Sequence, residues 1–244
     1  MCYLMRAARN ILDKLDRYFW FDVDELRAFF VSSFILGVVV SWSSWGADRF
    51  DLFAGLKWLS ISFVLCSVVL FVHHAFQRVV ALLLGFRARH FLLWTGLSAG
   101  LISAILSRGA VWFLAASATR IEPLRAHRIG KKPFGISQSV LLKVALSGVL
   151  GTLAFAIFVR ALRGFLPFAD LFFSISVWFA LCNLLPIPEL DGAHIFYFSR
   201  ALYALILLIV SLYGLFSLVF DFYPLVFAIL LGFAIWLWFL LRGG

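Results

Sequence analysis

The chain has 244 residues, 64% of them hydrophobic, and a formal net charge of +9. Apolar runs of membrane length recur from near residue 28 to near residue 241, whereas a soluble domain alternates apolar and polar faces, so an ordinary soluble globular protein is excluded. The charge does not call for nucleic acid, because the basic residues flank apolar runs where anionic headgroups lie.

Residues 1–25, MCYLMRAARNILDKLDRYFWFDVDE, break their apolar positions with charges at helical spacing and offer no cleavage site. They read as an amphipathic helix on the membrane surface, with Trp20 at headgroup level. Residues 26–244 read as a single transmembrane domain with its core at 58–195. Six crossings are expected near 28–45, 58–84, 137–160, 168–187, 201–220 and 223–241. A further apolar stretch, 95–117, is interrupted by Arg108 and small residues. Lys and Arg stay on the cytoplasmic side of short loops. With 95–117 re-entrant or interfacial, Arg87, Arg89, Arg120, Arg125, Arg128, Lys131 and Lys132 all remain inside, so both termini are expected in the cytoplasm, the membrane being the plasma membrane. Re-entrant backbone needs protein or a water cavity around it. The fold class is therefore an all-α polytopic membrane protein. Cys2, Cys66 and Cys182 are scattered and form no metal or disulfide pattern.

Ionisable groups inside spans are costly and mark function by default. His73, His74 and Gln77 lie in the second span. His73 and Gln77, four residues apart, share one helix face, while His74 points about 100° away. The second polar constellation, NLLPIPELDGAH at 183–194, ends the fourth expected crossing on the same side of the membrane. Pro186 and Pro188 break the helix there, and Gly192 permits tight backbone after Asp191. His90 and His127 sit among basic loop residues and are expected at headgroups or in water. Glu189 is the one other carboxylate expected at membrane depth.

Residues 183–192, NLLPIPELDG, together with HHAFQRVVALLLGFRARH, resemble the site-2 protease family of intramembrane zinc metalloproteases. That family carries H-E-x-x-H on one helix and N-x-x-P-x-x-x-x-D-G on a later one. The resemblance implies a site-2-protease-like core in which His73 and Asp191 are metal ligands for zinc. It also puts Gln77 where the second histidine ligand belongs and His74 where the glutamate base belongs. Asn183, Pro186 and Pro188 would belong to the substrate-holding stretch. Two more family marks are altered: A-P-G-A is replaced by AASA at 115–118, and A-G-P-x-x-N by a stretch within LSGVLGT at 146–152. Gly148 and Gly151 there still allow close helix packing.

Gln77 is a neutral amide and a poor zinc ligand. General-base help is typically worth ~10²–10⁴ in rate, and loss of the metal removes the nucleophile. The expectation is a catalytically impaired relative that binds transmembrane segments of client proteins. Two alternatives stand beside it: an active zinc protease with altered ligands, and a structural subunit of a membrane protein complex.

Overall fold

In the computed structural model the described residues are 13–46, 50–124, 136–219 and 224–242. Residues 1–12 of the expected interfacial helix, Cys2 and the basic loop with Arg125, His127, Arg128, Lys131 and Lys132 lie outside them. Residues 13–18 are helical, and Trp20 is exposed.

The chain then runs as α1 (Val23–Ser41), α2 (Leu52–Leu83), β1 (Phe86–Leu92), α3 (Trp94–Leu106), β2 (Ser117–Pro123), α4 (Gln138–Ala161), α5 (Ala169–Asn183), α6 (Asp191–Phe198), α7 (Arg200–Val219) and α8 (Pro224–Arg242). The protein is mostly helical. Among the described residues, four helices are long and apolar enough to cross a membrane: Val23–Trp45 (α1 with the short 3₁₀ turn that ends it), Leu52–Leu83, Gln138–Ala161 and Arg200–Ser217. α5 has 15 residues, fewer than the ~20 that a bilayer core requires.

Helix ends follow local chemistry. Asp22 precedes α1, and its backbone N–H donates to Glu25 Oε2 at 2.9 Å. Asp51 caps α2 by accepting from the Ala54 N–H at 3.0 Å. α2 stops at Gly85, whose φ of 82° is one that a glycine adopts at little cost. α5 stops before Pro186, which cannot continue a helix.

β1 and β2 form an antiparallel pair in which Leu92 faces Ser117. The intervening residues 93–116 thus leave and return at the same end of the strand pair. The return leg packs on α3, where side chains at Gly96 and Gly100 would collide with the carbonyls of Ala115 and Phe113. This sheet is the main departure from an all-helical expectation.

The core lies among α1, α2, α4 and α5. α2 and α4 approach closely because Gly148 and Gly151 present no side chain: a Cβ at 148 would meet His73 Cε1 at 2.7 Å, and one at 151 would strike the Phe76 ring. α7 and α8 pack on each other at the periphery, with Trp236 Nε1 donating to the Ala201 carbonyl at 2.8 Å.

Candidate functional site

Helical spacing places His73 and Gln77 one turn apart on α2, facing α4 and α6. The turn 184–190 folds back so that Asp191 opens α6. Gly192 is required there, since a Cβ would run into the Leu184 carbonyl and lie 2.5 Å from that of Leu185. His73, Gln77 and Asp191, 114 residues apart for the latter two, meet in the interior and are 2%, 0% and 6% exposed.

His73 Nε2 lies 2.9 Å from Asp191 Oδ2. Gln77 Nε2 donates to Asp191 Oδ1 at 2.8 Å and to Oδ2 at 3.0 Å. The first turn of α6 also favours a negative charge at Asp191. A carboxylate only accepts, so the amide nitrogen of Gln77 must face it, which turns Oε1 the other way. There Oε1 accepts from the Thr119 hydroxyl at 2.7 Å. Thr119 has spent its one hydrogen, so His90 Nδ1, 3.2 Å away, is the donor to it. At the far end, His73 Nδ1 lies 3.0 Å from Thr152 Oγ1, and Thr152 donates to the Gly148 carbonyl at 2.9 Å. A chain of polar side chains thus runs from β1 through β2, α2 and α6 to α4.

His74 points away from Asp191, as its position on α2 predicts. Its ring lies against that of His90, tilted by 31° with centroids 3.4 Å apart. His90 is therefore not a solvated loop residue: it is 5% exposed, because β1 turns alternate side chains inward and carries it against α2. Burial foremost, then His74, Arg78 and His73, hold its imidazole well below the ordinary histidine range.

Asn183 is buried and donates to the Phe179 carbonyl of its own helix at 2.9 Å. Pro186, Pro188 and Glu189 are exposed in the turn, and Glu189 has a φ of 78°. Beside Asp191, the interior holds a further carboxylate, Glu25. That residue belongs to the first turn of α1, is buried, and pairs with the equally buried Arg78 at 2.7 Å.

Zinc of the protease type needs bare imidazole nitrogens and a carboxylate with lone pairs to spare. Here the Gln77 amide nitrogen directs its hydrogens at both oxygens of Asp191 and has no lone pair to offer a metal, and His73 Nε2 lies against the same carboxylate. Among the described residues no three His, Cys, Asp or Glu side chains meet closely enough to hold a metal ion. The donors present do not fit zinc.

Thr119, Thr152 and the Glu25–Arg78 pair were not among the residues the sequence singled out, and His90 was expected at headgroups or in water. Two signals were available: Thr152 follows Gly148 by four residues, on the same face, and Arg78 is an ionisable residue inside an apolar helix. Compared with protein-family models, curated proteins and solved structures, the chain finds no match.

Proposed function

We propose that the chain is a catalytically impaired, site-2-protease-like membrane protein that binds transmembrane segments of client proteins. The observation that carries this reading is the pair of hydrogen bonds from Gln77 Nε2 to both oxygens of Asp191. These bonds engage the carboxylate that a hydrolytic metal would use, while position 74 holds an imidazole turned toward His90 instead of a carboxylate base. Glu189 is exposed in the turn and offers no replacement. Client binding is supported by the same turn, which presents Pro186, Ile187 and Pro188 at the surface beside the start of α6.

A defined synthetic transmembrane helix, co-reconstituted in vesicles with protein carrying a photo-crosslinker in place of Ile187, tests both halves. The expected result is crosslinking without cleavage. Cleavage that disappears in Asp191→Asn would overturn the impaired-enzyme half, and no crosslink above that at Gly164 would overturn client binding.

A further inference from the structure

The sheet end of the polar chain is covered by residues 19–22, the stretch leading into α1. Arg78, one residue beyond Gln77, grips this stretch from inside. Its Nη1 donates to the Phe19 carbonyl at 2.6 Å and the Trp20 carbonyl at 3.1 Å. Its Nη2 donates to Glu25 at 2.7 Å, and its guanidinium lies 3.9 Å from the Phe21 ring centre. Phe21 in turn packs 6.3 Å from the His90 ring. From outside, Asp22 pairs with Arg87 at 3.0 Å and with Arg89.

The same junction is poorly satisfied. Among the described residues, five buried side-chain polar atoms lack a hydrogen-bond partner, and four of them are here: Arg78 Nε, Arg87 Nε, Arg89 Nε and His90 Nε2. Buried polar atoms without a protein partner cost stability that contact with water restores. A cavity of about 450 Å³, lined by Asp22, Glu25, Arg89, His90 and neighbours, already brings open space to the flank of the stretch. Strong grips at a few points and unsatisfied atoms beneath them are the makings of a segment that opens locally while the rest stays folded.

We propose that residues 19–22 form a releasable cap over His90, at the sheet end of the His90–Thr119–Gln77–Asp191 chain, latched by Arg78. Opening exposes these four atoms further to water and uncovers the His90 ring. The cap stands apart from the client-binding reading and does not depend on it.

His90→Cys, in a Cys2→Ser background, supplies a buried reporter beneath Phe21 for a charged methanethiosulfonate reagent. The native Cys66 and Cys182, both buried, report on the rest of the fold. Slow labelling is expected with the cap intact. Adding Phe21→Ala with Asp22→Asn should speed reporter labelling about tenfold or more while both native thiols stay protected. Arg78→Lys keeps the charge for Glu25 but loses the fork that holds two carbonyls, and should give a smaller rise. Fast labelling with the cap intact would overturn the proposal. So would equal rates in all variants, or labelling of Cys66 and Cys182 in step with the reporter.

Discussion

Gln77→His puts an imidazole where the amide now holds Asp191. The change removes two hydrogen bonds of 2.8 and 3.0 Å to a buried carboxylate. Hydrogen bonds to charged groups are worth ~1.5–3 kcal/mol. In a helix bundle whose unfolded state also stays in lipid, side-chain bonds average ~0.6 and reach ~1.7 kcal/mol. The metal-free variant should therefore lose about 1–3 kcal/mol. At ~2–4 °C per kcal/mol for a chain of this size, the midpoint falls by roughly 2–12 °C. The variant also gives the cluster two imidazoles and a carboxylate, a donor set that suits zinc with water in the fourth position. Free zinc at ~100 times its dissociation constant would then return about 2.7 kcal/mol. Thermal unfolding in detergent, with chelator and with zinc, reads both effects. The unmodified protein should be indifferent to either addition. The reasoning fails if the unmodified protein responds to zinc as the variant does, or if the variant gains nothing from it.

Other consequences follow from single positions. Gly192→Ala should cost ~2–4 kcal/mol, because its Cβ would enter the Leu184 and Leu185 carbonyls, whereas Gly164→Ala, with nothing within 4 Å, should stay within ~0.5 kcal/mol. Paired melting curves check the contrast. His90 is held neutral in the folded protein, so its folded pKa lies below the unfolded value of 6.5. Below that pH the unfolded chain takes up a proton that the folded one refuses. Stability is thus fully present above about pH 6.5 and declines beneath it by up to ~1.4 kcal/mol per unit. His74, Arg78 and Glu25 surround the ring, so the comparison is the pH slope of the unmodified protein against His90→Gln, which should be shallower.

Four of the six expected crossings coincide with long apolar helices, legible because lipid demands continuous apolar helix, and the pairing of His73 with Gln77 was legible because helical spacing dictates it. The meeting with Asp191 was an expectation that the resemblance carried by NLLPIPELDG implied; the turn at 184–190 and Gly192 bring it about in the structure. The sheet was harder to see. FRARHFL alternates like a strand, but its arginines read equally well as a cytoplasmic loop, and nothing local reveals that SATRIEP pairs with it. His90 was misplaced for that reason: its burial comes from partners on α2 and β2. Glu25 and Arg78, 53 residues apart, each resemble boundary charges until packing joins them. Thr119 and Thr152 carry no sequence signal beyond their spacing from other site residues.

The central claim is that the buried carboxylate is already satisfied by His73 and Gln77 and holds no metal. Zinc content of the purified protein, measured by elemental analysis beside Asp191→Asn, tests it most directly. Metal far below one equivalent, and equal in the two proteins, is the predicted result. Near-stoichiometric zinc that vanishes in Asp191→Asn would contradict it.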